Sequence, residues 1–469
     1  MKRTGIDYIA EGTGGVIAGR AAGDKYVSVT SVAIDSRKIE EETLFFAIIG
    51  ARSDGHTFLP DVRESGCHNV VVSDKAWAER MAGYGDMNVI LVDDTVSALD
   101  ALTQKYLEDW QSLGKVAVTG SAGKTTTKEF LYSILSQKYK TAKNEGNLNS
   151  ETGIPLAVFR YPEDSEIAVV EIGIGEGPDM RELAQMVKPD NAVVTNVGTV
   201  HMEYFESSRE KLLEAKLRVT LGFGPENTLV VNNCEENLSI ESIRAHTEDP
   251  DFRIITVGND DECDFRISDI EDRGIDGVRG KLTAHGKTYN LELPIIGAHN
   301  LYNAAEAIAM GEVYGIEIAD SLEAVRNIDM AGNRLDVRRG RYIILNDSYN
   351  ANPEAMKAAI DIIRNSKASR KGLIVGDMRE LGDETKSLHE DVGRYIARGG
   401  IDYVAAVGEL GRIIGETASA ENESIEVRYF EDAEEASEKI GEFASEGDLI
   451  LLKASNSMNL SIIAEAAEK

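Results

Sequence analysis

The chain is poor in cysteine, in long apolar runs and in positive charge. Three cysteines in 469 residues, Cys67, Cys234 and Cys263, are odd in number and scattered. They exclude a disulfide framework and a cysteine metal knuckle, and they point to a reducing cytoplasm. No window approaches the apolar length that spans a bilayer, so no membrane insertion is expected. Lys2 and Arg3 have no apolar run behind them, so no secretory signal is expected either. Lysine and arginine number 50 against 81 aspartates and glutamates, a formal net charge of -31. That balance excludes nucleic acid as a partner, because such binding needs a basic face. It also sets a problem for any anionic ligand, since two like charges at about 4 Å repel by about 4 kcal/mol at an effective dielectric near 20. Local cations must override the global field.

Hydrophobic residues make up 42% and charged residues 28%, an ordinary soluble composition. The length exceeds what one core supports and predicts about three domains. Apolar runs alternating with helical spacings predict an α/β protein. Residues 1–95 read as a small α/β domain and residues 96–331 as a central domain with a parallel, mononucleotide-binding sheet. Residues 332–469 read as a doubly wound, Rossmann-like domain.

The most informative stretch is Val118-Thr119-Gly120-Ser121-Ala122-Gly123-Lys124-Thr125-Thr126-Thr127. It follows the apolar run Val116-Ala117-Val118 and leads into a helically spaced segment, the context of a phosphate loop. Gly120 and Gly123 let the backbone turn and aim N–H groups at an anion, and the helix N-terminus adds partial positive charge. Lys124 is expected on the outer phosphates and the Thr125 hydroxyl on Mg²⁺, with Ser121, Ala122 and Thr126 completing the cradle. Val118 stands where the general pattern begins with glycine, so this is a shorter form of it. The expected ligand is ATP.

Two later apolar runs end in polar residues, one in Glu171 and the other in Asn196 to His201. In a parallel sheet such ends line the ligand crevice, so Glu171 and His201 are expected near the phosphates as Mg²⁺ neighbours. The loop Asn144-Glu145-Gly146-Asn147-Leu148-Asn149 is rich in amides suited to polar recognition. Lys216 lies on an amphipathic helix, where a lone lysine reads as a solvated surface residue.

These residues resemble the Mur ligases of peptidoglycan synthesis over essentially the whole chain. The likeness is carried by Asp35-Ser36-Arg37 with Asp54-Gly55-His56, the phosphate loop, Asn147-Leu148-Asn149 and Asn300 to Asn303. It is carried further by Asp347-Ser348-Tyr349-Asn350-Ala351-Asn352-Pro353 and Gly376-Asp377-Met378-Arg379-Glu380-Leu381-Gly382. The last two are the most specific, and they resemble the member that adds D-alanyl-D-alanine. The resemblance implies ATP-dependent amide formation between UDP-N-acetylmuramoyl-tripeptide and D-alanyl-D-alanine through an acyl phosphate, in a cytoplasmic monomer.

By the same resemblance, Ser36, Arg37, Phe46, Gly50, Asp54 and His56 hold the UDP end. Asn147, Asn149, Asn352, Asp377, Glu380 and Lys453 hold the peptide substrates. Thr125 and Glu171 match a first Mg²⁺ site, and His201 matches a second. Lys216 falls where the family has a carbamylated lysine, an anionic oxygen ligand. Asn300 and Asn303 match adenine contacts, and Asp347, Tyr349 and Asn350 match ribose and interdomain positions. Arg334 matches an arginine directed at the phosphates. Ala122 replaces a usual Asn or Ser, and Asn456 replaces an arginine, which removes a fork-shaped anion donor. Two rival readings are a sister ligase of the same superfamily, whose diamino-acid recognition stretch is absent here, and a non-catalytic nucleotide-gated binding protein.

Overall fold

A computed structural model of the chain describes residues 1–22, 28–40, 42–50, 53–173, 180–197, 208–234, 236–248, 250–328, 336–348, 351–379 and 381–467. Of the expected site residues, His201, Arg334, Tyr349, Asn350 and Glu380 lie outside the described residues. The chain divides into two compact units. One comprises residues 1–268, 282–289 and 302–325, and the other residues 269–281, 290–301 and 326–469.

The first unit begins with a five-stranded sheet in the order Val16–Gly19, Asn88–Leu91, Asn69–Val72, Thr43–Phe46, Ser31–Ala33. Its first pair is antiparallel and the rest are parallel. A nine-stranded sheet has the order Lys287–Leu293, Val278–Ala284, Phe265–Asp272, Arg253–Gly258, Thr228–Asn232, Asn191–Val194, Gly114–Thr119, Ile167–Glu171, Thr141–Lys143, of which residues 269–272, 278–281 and 290–293 fall within the bounds of the second unit. The strand Gly114–Thr119 is flanked on both sides by parallel partners and is followed at once by the helix Lys124–Leu135. One apolar core runs from Ile6 and Ile9 through Leu99, Leu102 and Tyr106 to Ala117, Val170 and Val194. That shared core explains why the N-terminal segment and the central sheet form one unit.

The second unit is built on a six-stranded sheet ordered Asp336–Arg339, Ile343–Asn346, Leu449–Lys453, Lys371–Val375, Tyr403–Val407, Glu426–Phe430. Only the first pair is antiparallel. Successive strand residues point to opposite faces. Leu345, Leu373, Val375 and Leu451 pack on the helices Pro353–Asn365 and Thr385–Ile396 through Ile360, Ile363, Val392 and Ile396. Ile344, Ile374, Ile450 and Leu452 pack on the other face against Phe443 and Ile463. Helices on both faces of a mostly parallel sheet make this the doubly wound arrangement expected. The edge strands Asp336–Arg339 and Glu426–Phe430 escaped the sequence reading, because their exposed, charged positions break the continuous apolar signature of the inner strands.

Candidate active site

The phosphate loop stands at the carboxyl end of Gly114–Thr119, in the crevice position for an open parallel sheet. Its two glycines are required by their neighbours as well as by their dihedrals. Gly120 has φ +151°, and a Cβ there would stand 2.0 Å from Thr195 Oγ1. Gly123 has φ +81°, and its Cβ would meet Asn303 Oδ1 at 2.6 Å. The N–H groups of Ser121 and Ala122 converge on one oxygen, donating to Asn196 Oδ1 at 2.9 and 2.8 Å. Ser121 N–H is shared with the Asn196 backbone carbonyl at 3.0 Å; two backbone donors meeting at one oxygen are the geometry that receives a phosphate oxygen. Lys124 Nζ donates to the Gly120 carbonyl at 2.9 Å. The lysine thus folds over the loop it would serve.

Glu171 ends the strand Ile167–Glu171 beside this loop, at 1% exposure. Asn149 Nδ2 donates to its Oε1 at 2.7 Å, while its Oε2 is buried and accepts no hydrogen bond from the described residues. Lys128 Nζ stands 3.5 Å from that oxygen and donates to the Asn144 carbonyl at 2.9 Å. Asn144 in turn clamps both backbone groups of Glu171, accepting from its N–H at 2.8 Å and donating to its C=O at 2.9 Å. A buried carboxylate oxygen left short of partners suits a divalent cation, which carboxylates bind through oxygen. Among the described residues, no three His, Cys, Asp or Glu side chains converge on a closed metal cage. An ion held by few protein oxygens and shared with phosphates is the usual arrangement for Mg²⁺.

Lys216 is not the solvated surface lysine of the plain helical reading. It sits in the last turn of the helix Arg209–Leu217 at 2% exposure. Burial, and then the nearby Lys124 ammonium, pull its amine down to about 7. A substantial fraction is therefore uncharged and nucleophilic at neutral pH.

Behind the loop, Glu306 is wholly buried and 3.4 Å from Thr127 Oγ1. Burial raises its carboxyl well above the usual range. Asn303 faces Gly123, and Asn300 Nδ2 donates to the Ile296 carbonyl at 2.7 Å. Asn147 is exposed on the amide-rich loop.

In the N-terminal segment, Ser36 opens a single turn in which Asp35 takes a two-point ion pair from Arg37 at 2.9 and 2.8 Å. That guanidinium holds the Asp35 carboxyl down at about 2. Gly50 N–H donates to the Ser53 carbonyl. His56 is fully buried, with Nδ1 on Asp54 Oδ1 at 2.7 Å and Nε2 accepting from Ser73 N–H at 3.0 Å. Both ring nitrogens are occupied, so this histidine fixes the Asp54 turn. Phe46 is also wholly buried, packed in the core at its strand end.

In the second unit, Lys453 Nζ pairs with Asp347 Oδ2 at 2.5 Å, with side chains 2% and 15% exposed. Asp377 Oδ1 accepts from the N–H groups of Leu410 and Gly411, both at 3.0 Å, capping the helix Gly408–Glu421. His389 Nε2 accepts from Met378 N–H at 3.0 Å. Asn352 caps Pro353–Asn365 through Ala355 N–H.

Sequence reasoning missed Lys128, Asn196, Glu306 and His389 as site-building residues. The available signal was a charged residue at a position of apolar helical spacing, as with Lys128 before Leu131 and Leu135.

Three family models match the chain: the Mur ligase family catalytic domain over residues 28–107, the Mur ligase middle domain over 118–311, and the Mur ligase glutamate ligase domain over 333–456. The UDP-N-acetylmuramoyl-tripeptide–D-alanyl-D-alanine ligase of Bacillus subtilis is 35% identical over 98% of this chain and 97% of its own length. The ligase of the same name from Escherichia coli is 30% identical, with 85% of each chain covered. Among solved structures, MurF from Acinetobacter baumannii superposes with a TM-score of 0.86 at 26% identity, covering 100% of both chains. MurF from Thermotoga maritima in complex with ADP gives 0.70 at 26% identity, covering 95% of this chain and 98% of that one.

Proposed function

The chain belongs to the Mur ligase family, and from that premise we infer that it is an ATP-dependent ligase joining D-alanyl-D-alanine to UDP-N-acetylmuramoyl-tripeptide. The observation that carries this reading is the pair of loop N–H groups converging on one oxygen beside Lys124 and the under-bonded Glu171 carboxylate. It occurs in a chain aligned nearly end to end with ligases of that name.

The tripeptide carboxylate attacks the γ-phosphorus of ATP, giving an acyl phosphate and ADP. The amine of the dipeptide then adds to the acyl carbon, loses a proton and expels phosphate. Phosphoryl transfer needs little covalent help from the protein, so positioning and charge dominate. The Ser121 and Ala122 N–H groups and Lys124 hold the phosphates in line. Thr125 and Glu171, with His201 and Lys216 at a second position, would hold Mg²⁺, whose charge offsets the repulsion between the two anionic reactants. Lys216 reaches the required charge by adding CO2 to its neutral amine, which yields a carbamate and one proton. Its burial and lowered pKa support this. Asn300 and Asn303 take the adenine, while Asp347, Tyr349 and Asn350 take the ribose. Arg334 reaches the phosphates. Ser36, Arg37, Phe46, Gly50, Asp54 and His56 form the UDP end, the last by fixing Asp54. Asn147, Asn149, Asn352, Asp377, Glu380 and Lys453 serve the peptides.

Residues 1–95, 96–331 and 332–469 then divide the work among UDP substrate, ATP and dipeptide. No described helix is long and apolar enough to cross a membrane. We assign the enzyme to the cytoplasm, as a monomer. Phosphate release measured with and without each substrate tests the reading: release that depends on both supports it, and hydrolysis indifferent to either overturns it.

A further inference from the structure

The cysteines that look scattered in sequence do not all stay apart in the fold. Cys234 follows the strand Thr228–Asn232, and Cys263 lies in the connection after the parallel neighbour Arg253–Gly258. Both therefore emerge at the carboxyl edge of the sheet, the edge that carries the phosphate loop. Both sulfurs crowd the point where a Gly258 Cβ would stand, Cys263 Sγ at 2.6 Å and Cys234 Sγ at 3.7 Å, which bounds their separation at about 6 Å. The missing side chain of Gly258 is what leaves room for the two thiols to face each other.

The backbone on either side is held. Asn233 N–H donates to the Val257 carbonyl at 2.7 Å, Cys234 N–H to Asn232 Oδ1 at 3.0 Å, and Cys263 N–H to the Asp260 carbonyl at 3.2 Å. Both cysteines are free thiols, Cys234 exposed and Cys263 half-buried. Cys234 Sγ also donates to Asn259 Oδ1 at 3.5 Å and lies beside the Tyr302 hydroxyl, close enough for the two groups to perturb each other. Tyr302 directly precedes Asn303, whose side chain packs on Gly123 of the phosphate loop.

We propose that Cys234 and Cys263 form a reversible disulfide, closed by a hydroperoxide and reopened by thiols, whose closure weakens ATP binding at the adjacent crevice; the effect on ATP rests on the nucleotide reading above. Cys234, the exposed thiol, loses its proton and attacks a peroxide oxygen as thiolate; the O–O bond breaks and the departing hydroxide takes up that proton, giving a sulfenic acid and one water. The Cys263 thiol then displaces the second water from the sulfenic sulfur, so two thiols and one hydrogen peroxide give one disulfide and two waters. The two electrons lost by the sulfurs reduce the O–O bond. Burial raises both thiols above the ordinary thiol range, which slows the first step. The second step is intramolecular and gains from proximity. Closure withdraws Cys234 Sγ from Tyr302 and so disturbs the helix turn that places Asn303.

The test uses the full chain treated with hydrogen peroxide, digested without reduction and mapped by mass spectrometry, with MgATP affinity measured by calorimetry before and after. A cross-linked Cys234–Cys263 peptide two mass units below the sum of its reduced parts is expected. Dithiothreitol should erase it, as should C234S or C263S, while C67A should leave it in place. ATP affinity should fall by about fivefold on oxidation of the parent, recover with dithiothreitol, and stay unmoved by peroxide in C234S. Separate sulfinic acids, or no cross-link at all, overturn the pairing. A cross-link with unchanged ATP affinity overturns the coupling to nucleotide. Failure of the reduced protein to bind ATP would instead refute the nucleotide reading, and the peptide map would still decide the pairing.

Discussion

The carboxyl edges of the two large sheets carry similar residues in different states of engagement. In the first unit, strand ends and the helix Arg209–Leu217 deliver groups that keep capacity for a ligand. Glu171 Oε2 accepts no hydrogen bond from the described residues, the Lys216 amine is pulled down to about 7, and two loop N–H groups share one borrowed acceptor. In the second unit, the groups assigned to ribose and peptides are already engaged within the unit. Asp377 caps a helix with one oxygen, Lys453 is paired with Asp347, and His389 supports the loop after its strand. Polar residues at strand ends thus divide into those that organise a crevice and those left able to act in it. Which is which follows from their partners, not from their position.

That contrast can be broken by substitution. Lys124→Ala should have the largest effect, lowering the ligation rate by about 10³-fold, because it removes a fixed cation from a transferring phosphoryl group. Steady-state kinetics beside an unchanged circular dichroism spectrum would check it. Glu171→Gln should lower the rate by about 10²-fold and raise the Mg²⁺ concentration needed for half-maximal activity, since the amide keeps the shape and loses the charge. Lys216→Ala should cost a similar factor, with partial recovery in added formate or bicarbonate. A variant as active as the parent would exclude the carbamate. Uptake of ¹³C-labelled CO2 by the parent, followed by NMR, should rise with pH around 7, where the Lys216 amine loses its proton.

In the second unit the expected loss is of stability. Asp377→Ala strands the Leu410 and Gly411 N–H groups and should cost about 1–2 kcal/mol in denaturant unfolding.

The smallest effect expected is at Asp100, on the helix Thr95–Asp109. Burial first, then Glu151, Glu182 and Asp94, push its carboxyl up to about 7. A folded-state value above the unfolded one means the native state binds more protons between about pH 4 and 7. Its contribution to stability therefore falls as pH rises through that window, and the penalty is complete above it. Asp100→Asn should raise Tm by about 1–3 °C at pH 8 and leave it unchanged near pH 4.

Much of this was legible in sequence where the backbone imposes residue types. Gly120 and Gly123 could be assigned to a phosphate loop because few residues adopt those dihedrals and none larger clears Thr195 and Asn303. The strand ending at Glu171 was legible from its apolar run. Lys128 was not, because its burial is explained by Asn144 and Glu171, which the fold brings to it beside its neighbour Glu129. Asn196 looked like an ordinary strand-to-loop residue until its amide oxygen was seen under the loop N–H groups. His56 reads from sequence alone as a structural histidine, and both of its nitrogens are engaged within the protein; its place at the UDP end comes only from the family resemblance. The Cys234–Cys263 pairing was illegible because parallel strand neighbours, not chain spacing, bring the thiols together.

Calorimetric titration of MgATP into the parent, Glu171→Gln and Asp377→Ala tests the central claim most directly. The dissociation constant should rise about tenfold or more for Glu171→Gln and stay at the parent value for Asp377→Ala. Equal affinities for the parent and Glu171→Gln, or a loss confined to Asp377→Ala, would contradict it.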